Sequence, residues 1–235
     1  MRLSALYHRL CGGRLRHGPF RGMRYVAASV GSSYGAKLLG VYEAELRGAL
    51  DSLDARGFRS IVNVGAAEGY YAVGLARRHP TALVTAFETE LRGQELIRRL
   101  AALNGVSDRV RVAGTCRPED LRACLGEGAL IFMDAEGAET ELLDPALVPA
   151  LADCTCVVEM HDYLRPGATA LLRQRFAGTH TIVEIPTRPR TTADLPLAFR
   201  LLFRLGPRGY AASVLDEGRP APMSWLRLDP QKRPA

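Results

Sequence analysis

Short apolar runs without polar alternation recur along the chain after residue 50, and segments with helical spacing separate them. Such runs are typical of strands that are buried on both faces of a sheet. Strict alternation of strand and helix implies right-handed parallel crossovers. The pattern therefore predicts an α/β fold with a doubly wound, mostly parallel seven-stranded sheet. The predicted strands are 60–65, 82–88, 109–114, 129–134, 154–160, 180–186 and 222–228, and the predicted helices are 68–78, 90–103, 117–125 and one between the fourth and fifth strands.

Two segments do not fit this alternation. Residues 38–56 have a helical spacing of apolar positions, and we expect them to pack beside the first strand. Residues 187–221 are rich in Pro and Arg and contain the apolar helical piece LPLAFRLLFRLG. We predict that they form an insertion between the last two strands.

The net charge of +6 invites comparison with nucleic-acid-binding proteins. All but two of the 31 basic residues are Arg, however, and they are scattered among many Ala instead of forming a stripe with aromatic residues. No apolar run approaches the roughly 18 residues that a membrane span requires. The basic N-terminal segment has no apolar core, so it does not fit a signal peptide. We therefore expect no nucleic-acid or membrane partner and a cytoplasmic location.

The chain contains five Cys, an odd number, and no C-x-x-C spacing. Cys154 and Cys156 flank one residue inside an apolar run, so the period of a strand places them on one side. We predict reduced thiols in the core and not metal ligands or a disulfide.

The first predicted strand ends in the glycine-containing loop NVGAAEG. In an open α/β sheet, ligands bind beyond the C-terminal ends of the strands, where the strand order reverses. Gly65 and Gly69 would let a ligand approach the backbone, and the following helix would direct free N–H groups at it. The spacing is G-x-x-x-G and not the dinucleotide fingerprint G-x-G-x-x-G, so a tight strand-to-helix turn is the alternative.

Acidic residues follow two further strands. Glu88 ends the second strand, where a carboxylate can accept both ribose hydroxyls of a nucleoside; capping of the next helix is the alternative. Asp134, Glu136 and Glu139 follow the fourth strand. Three carboxylates without a local cation are costly to bury, so they favour a site for a cationic group or a metal. A solvated loop is the alternative.

The fifth predicted strand ends in VVEMHD. The period of a strand places Glu159 and His161 on one side of the chain. Because the unperturbed pKa of histidine lies near neutrality, His161 is the candidate general base. A histidine next to a capping Asp162 is the alternative. These three residues, with Asp134, could in principle hold a divalent ion.

Residues 38–164 resemble a class I S-adenosylmethionine-dependent methyltransferase, and more narrowly its FkbM-type branch. The most specific match is the hexapeptide DAEGAE at 134–139, and NGVSDRV at 104–110 resembles the family's approach to the third strand. The first loop departs from the family pattern twice, because Asn63 replaces an acid and Ala67 replaces an Asn. An Asn can still bond to the ammonium of the cofactor, although without charge assistance. The resemblance does not reach 1–35 or 187–221, where we expect substrate choice to lie.

The resemblance implies O-methylation of a small-molecule acceptor, a hydroxylated metabolite or sugar, with S-adenosyl-L-methionine as cofactor and no metal. The pattern of the chain predicts an N-terminal extension and helix at 1–56, followed by a methyltransferase domain at 57–235 with an insertion at about 187–221. An NAD-dependent oxidoreductase and a catalytically silent nucleoside-binding homologue are the alternatives. The predicted catalytic residues are His161, Asp134 and Glu136, and the predicted cofactor-binding residues are Asn63, Gly65, Ala66, Gly69, Tyr70, Glu88 and Asp134.

Overall fold

A computed structural model of the chain describes residues 8–9, 12–197, 199–201 and 215–231. Its centre is one sheet of seven strands. Each strand lies within two residues of the range predicted from the sequence. The strands are β1 (Ser60–Val64), β2 (Leu83–Phe87), β3 (Val110–Ala113), β4 (Leu130–Met133), β5 (Thr155–Met160), β6 (His180–Pro186) and β7 (Ser224–Pro230).

Helices cover the sheet and connect its strands. The α-helices are α1 (Tyr34–Leu39), α2 (Arg47–Leu53), α3 (Tyr70–Arg78), α4 (Leu91–Leu103), α5 (Pro118–Cys124), α6 (Glu139–Leu142) and α7 (Ala168–Phe176). Short 3₁₀ helices occupy Ala44–Leu46, Asp54–Arg56, Pro149–Asp153 and Thr192–Asp194. In the part of the chain that the structure describes, no helix has both the length and the apolar character needed to cross a membrane.

The strand order is β3-β2-β1-β4-β5-β7-β6. Strands β1 to β5 pair in parallel, and β7 runs antiparallel to both β5 and β6. This confirms the predicted doubly wound, mostly parallel sheet. Because the chain proceeds outward from β1 to β3 and then returns to place β4 beside β1, the order reverses between β1 and β4. The crevice between the loops after these two strands is where ligands bind in such sheets.

Both faces of the central strands β1, β4 and β5 are buried, which explains why these strands lack polar alternation. On one face, Ile61 of β1 lies in a cluster with Phe132 and Trp225. On the other face, Val62 lies in a second cluster that includes the buried thiols of Cys154 and Cys156. Both thiols are free, as predicted, and so are Cys116 and Cys124.

Residues 38–56 pack on the core, but they do not form the continuous helix that their spacing suggests. Helix α1 ends at Leu39, and Gly40 caps it at φ +69°. A Cβ at position 40 would lie 2.2 Å from the carbonyl carbon of His17, so the crossing of the 17–18 segment requires a glycine there. The chain then turns through Glu43, at φ +45°, before α2 begins. Leu50 of α2 lies in the same buried cluster as Ile61 of β1.

The connection from β6 to β7 contains the 3₁₀ helix Thr192–Asp194. The apolar helical piece predicted at 195–206 lies largely outside the described residues.

Candidate functional site

A cleft of about 320 Å³ opens at the C-terminal ends of β1, β2 and β4. Loops that follow β1 to β4 form its floor, and residues of the N-terminal segment form a wall. The cleft therefore occupies the crevice at which the strand order reverses. Its lining comprises 30–32, 37, 42, 64–67, 70–71, 87–89, 114–116, 132, 134–136, 138 and 142.

Gly65 lies where the loops after β1 and β4 cross. Its φ is +73°, and a Cβ at this position would lie 1.6 Å from the carbonyl oxygen of Asp134. No side chain can be accommodated at that distance. The glycine is therefore required by contact between two backbone segments, whether or not a ligand is bound. The next residue but one, Ala67, also has a positive φ, of +49°. A left-handed conformation is costly for a non-glycine residue and is concentrated at functional sites.

Glu88 lies in the cleft, and its carboxylate is fixed by the backbone. Oε2 accepts from the N–H of Ala67 at 2.7 Å, and Oε1 accepts from the N–H of Glu90 at 2.8 Å. Gly93 leaves room for this side chain, because a Cβ there would lie 2.7 Å from Cγ of Glu88. Each carboxylate oxygen can accept a second hydrogen bond. Glu88 thus combines the helix-capping role with free acceptor capacity in the cleft.

The structure does not bring Asn63 and Gly69 to the cleft. The Asn63 side chain is 1% exposed and donates from Nδ2 to the carbonyl of Phe132 at 3.1 Å. Asn63 lies on the same face of the sheet as Ile61, two residues earlier. Its side chain is therefore packed on that face and does not reach the cleft at the ends of the strands. Gly69 precedes α3 at φ +96°, and a Cβ there would lie 3.2 Å from the Ile97 side chain of α4.

Ala66 and Tyr70 do line the cleft. Tyr70 is 2% exposed and packs edge-on against the rings of Phe20 and Tyr42. No group among the described residues bonds to its buried hydroxyl. A buried hydroxyl without a partner is costly, so this atom is a candidate ligand contact.

His161 lies among carboxylates from three elements. Its Nδ1 donates to Oε1 of Glu139 at 2.7 Å, and Glu139 also accepts from the N–H of Gly137 at 3.0 Å. On the other side of the ring, Nε2 lies 3.5 Å from an oxygen of Asp134 and 3.5 Å from an oxygen of Glu136. Glu159 is 3.9 Å away, which agrees with its predicted placement on the same side as His161.

These surroundings change the proton affinity of the ring. Burial alone would lower the pKa of His161, but the hydrogen bond to Glu139 and the surrounding carboxylates raise it to about 9. With this pKa, His161 is expected to be protonated at neutral pH, a state in which the ring has no lone pair to accept a proton. Burial, together with the charge of Glu43, raises the pKa of Asp134 to about 7.

Asp134 and Glu136 both face the cleft. Oδ1 of Asp134 has no hydrogen-bond partner among the described residues, although it is buried. Glu136 has φ +48° and accepts a bond from the Tyr163 hydroxyl at 3.3 Å. Ligand atoms of Asp134, Glu136 and His161 lie within 4.8 Å of one another, close enough to hold a metal ion. Asp162 lies apart from this group and accepts from Thr169 at the start of α7.

A second group of charged residues lies next to the carboxylates that surround His161. Arg219, from the segment before β7, pairs with Glu159 and lies 3.1 Å from Glu43. Glu43 also accepts from the hydroxyl of Tyr71, a residue of the cleft wall. Burial and repulsion from Glu159 raise the pKa of Glu43 to about 8, and burial and repulsion from Asp134 raise the pKa of Glu159 to about 8. The N-terminal segment, β5 and the segment before β7 are thus held together beside the cleft by ion pairs.

Lys37 and Glu68 form a buried ion pair beside the cleft that was not predicted from the sequence. Glu68 is fully buried, and Nζ of Lys37 lies 2.6 Å from its Oε1. Tyr25 and Ser29 donate their hydroxyls to Glu68, and Val30 donates its N–H at 3.0 Å. Burial would raise the pKa of Glu68, but the Lys37 ammonium and these hydrogen bonds lower it. The only available signal was a lysine within the apolar segment GAKLLG, in a chain whose other basic residues are nearly all Arg.

Comparisons with known proteins show what this fold resembles. No protein-family model and no curated protein matches the chain. Among solved structures, the chain is similar to the O-methyltransferase from Bacillus cereus in complex with SAH, with a TM-score of 0.50, 15% identity, and coverage of 76% of this chain and 77% of that one. It is also similar to a putative O-methyltransferase from Klebsiella pneumoniae, with a TM-score of 0.50, 13% identity and 80% coverage of each chain.

A third similar structure is a putative precorrin-6Y C5,15-methyltransferase targeted domain from Corynebacterium diphtheriae. The TM-score is 0.50, the identity is 15%, and the match covers 81% of this chain and 99% of that one. The chain therefore has the Rossmann-like α/β fold of class I methyltransferases.

Proposed function

We propose that the protein is an S-adenosylmethionine-dependent methyltransferase. The observation that carries the proposal is the convergence of Glu88, the loop after β1 and Asp134 on one cleft at the reversal of strand order. A nucleoside needs an acceptor for its ribose hydroxyls beside a close-lying backbone, and both are present there. The match of the fold to a methyltransferase in complex with SAH supports the same cofactor.

Glu88 is the proposed ribose ligand. Its two oxygens are already held by the N–H groups of Ala67 and Glu90, so the carboxylate is fixed before a ligand enters. The loop at 114–116, after β3, borders the same cleft and would face the nucleobase of the cofactor. The Tyr70 hydroxyl would gain a partner from the ligand. The NAD-dependent alternative is disfavoured because the loop after β1 has a different glycine spacing from the dinucleotide fingerprint.

The proposed reaction is transfer of the methyl group to a hydroxyl of a small molecule. S-adenosylmethionine supplies a methyl group that its sulfonium has already activated. The protein must hold the acceptor in line with that group and remove the hydroxyl proton. Asp134 is the proposed base, because it faces the cleft with one oxygen unpartnered and its pKa lies at about 7. Asp134 would accept the hydroxyl proton as the acceptor oxygen bonds to the methyl carbon, and the carbon–sulfur bond of the donor would break to release S-adenosylhomocysteine.

His161 has a positioning role in this proposal. Both of its ring nitrogens face carboxylates, so both carry protons at neutral pH. A protonated imidazole has no lone pair with which to accept a proton. Its Nε2 lies 3.5 Å from an oxygen of Asp134 and 3.5 Å from an oxygen of Glu136, so the charge of the ring would balance that of the base and favour its position. The finer assignment to the FkbM-type branch rests on the DAEGAE hexapeptide, which supplies Asp134, Glu136 and Glu139 to this cluster.

An isotope-labelled methyl-transfer assay tests this function. Purified protein is incubated with methyl-labelled S-adenosylmethionine and a panel of small hydroxylated molecules that includes sugars. We expect a labelled product from at least one acceptor with the wild type and none with Asp134→Asn, while both proteins bind S-adenosylhomocysteine equally in calorimetry. Binding without transfer to any acceptor would favour the catalytically silent alternative.

A further inference from the structure

The amino-acid part of S-adenosylmethionine carries a carboxylate, and the cleft offers one cation to receive it. Of the described residues that line the cleft, only Lys37 carries a positive charge, while Glu88, Asp134 and Glu136 are acidic. Asn63, the residue expected to hold the methionine end, donates to Phe132 inside the sheet. We infer that Lys37 binds the carboxylate of the methyl donor. This inference rests on the proposed function.

The surroundings of Lys37 hold its ammonium in place before a ligand arrives. Nζ donates to Oγ of Ser32 at 2.6 Å and to Oε1 of Glu68 at 2.6 Å. An ammonium has three N–H donors, so one remains. The rings of Tyr42 and Tyr70 lie 4.7 and 5.2 Å from Nζ, and both rings line the cleft. The ammonium is thus oriented at the wall of the cleft with one donor available.

Glu68 does not compete for the ligand, because its carboxylate is occupied by four hydrogen bonds within the protein. It accepts from Tyr25, Ser29, Val30 and Lys37, and it does not line the cleft. Glu68 therefore holds Lys37 through an ion pair on the side away from the cleft. This pairing allows the ammonium to remain buried at the cleft wall. A ligand carboxylate that reaches Nζ from the cleft would form a charge-assisted hydrogen bond, which is stronger than one from a neutral donor.

The test compares two ligands that differ only in the carboxylate. They are S-adenosylhomocysteine and its decarboxylated analogue, S-adenosyl-3-thiopropylamine, and their Kd values are measured by calorimetry. The wild type should bind S-adenosylhomocysteine about 10–100-fold more tightly, the range expected for a charge-assisted bond. Equal affinities for the two ligands would overturn the inference without any variant.

Variants then assign the difference to Lys37. Lys37→Met combined with Glu68→Gln removes both charges, so no unpaired charge is left buried. The double variant should lose the preference for the carboxylate and keep the wild-type affinity for the analogue. Tyr25→Phe is the matched control, because it removes another hydrogen bond to Glu68 away from the cleft; the preference should persist.

The outcomes separate this inference from the proposed function. A double variant that still prefers S-adenosylhomocysteine, or that loses both ligands to the same extent, would overturn the role of Lys37 and leave the methyltransferase proposal standing. Failure of the wild type to bind either ligand would overturn the proposed function itself, and the inference with it. Circular dichroism of each variant confirms that the loss of binding is not a loss of fold.

Discussion

The carbonyl oxygen of Asp134 lies 1.6 Å from the position that a Cβ on Gly65 would take. The contact joins the loop after β1 to the loop after β4, and it places the proposed base beside the backbone that receives the cofactor. One glycine therefore sets both the crossing of the two loops and the shape of the cleft.

Gly65→Ala should destabilise the fold and abolish ligand binding. The new Cβ collides with backbone that cannot move independently, and φ +73° is itself unfavourable for alanine. We expect a loss of about 2–4 kcal/mol in the free energy of unfolding, measured by chemical denaturation. Gly178→Ala is the control, because no atom lies within 4 Å of a Cβ built there. Wild-type stability of Gly65→Ala would contradict the tight crossing.

Glu88→Ala should weaken binding of S-adenosylhomocysteine by about 10–100-fold, because two ribose hydroxyls lose their acceptor. Glu90→Ala is the matched control: Glu90 contacts Glu88 through its backbone N–H, which the substitution keeps. Calorimetry on both variants checks the prediction. If the two variants bound the ligand equally well, Glu88 would have no role beyond capping α4.

The rate of methyl transfer should rise with pH through about 7, as Asp134 loses the proton that prevents it from acting as a base. It should fall again above about 9, where the His161 imidazolium that orients Asp134 becomes neutral. A pH profile of kcat measures both limbs. A rate that rises only above pH 9 would return the role of base to His161.

Glu139→Gln should lower the pKa of His161, because the carboxylate that accepts from Nδ1 becomes a neutral amide. The titration can be followed by NMR of the imidazole resonances, with Glu141→Gln, a change at an exposed position on the same short helix, as control. An unchanged titration midpoint would show that Glu139 does not control the charge of His161.

We predict that activity survives chelation and dialysis. The protonated His161 already supplies a positive charge among Asp134, Glu136 and Glu139, so the cluster does not need a metal for charge balance. The measurement is methyl transfer after EDTA treatment, with magnesium added back as the control. Loss of activity and its recovery with magnesium would assign Asp134, Glu136 and His161 to a metal site instead.

The fold was predictable from the sequence because the central strands, which are buried on both faces, form continuous apolar runs. Because ligands bind beyond the ends of such strands, the sequence also predicted that Gly65, Glu88 and Asp134 lie in one cleft. The contact of Asn63 with Phe132 could not be predicted in this way, because strand periodicity assigns Asn63 only to a face and the hydrogen bond depends on the neighbouring strand.

The charge state of His161 could not be predicted, because its carboxylate neighbours come from three separate elements. Lys37 was missed for a related reason, because its partner Glu68 lies in a different segment of the chain. The break in the helix at Gly40 was also not predictable, because it depends on a crossing with the 17–18 segment, of which helical spacing alone carries no sign. Both features arise from contacts between segments that are distant in the sequence.

The most direct test of the account is calorimetric titration of the wild-type protein with S-adenosylhomocysteine and, separately, with NAD. We predict saturable one-to-one binding of S-adenosylhomocysteine, weakened by Glu88→Ala, and no heat of binding with NAD. Binding of NAD in the same cleft, or no binding of S-adenosylhomocysteine, would contradict it.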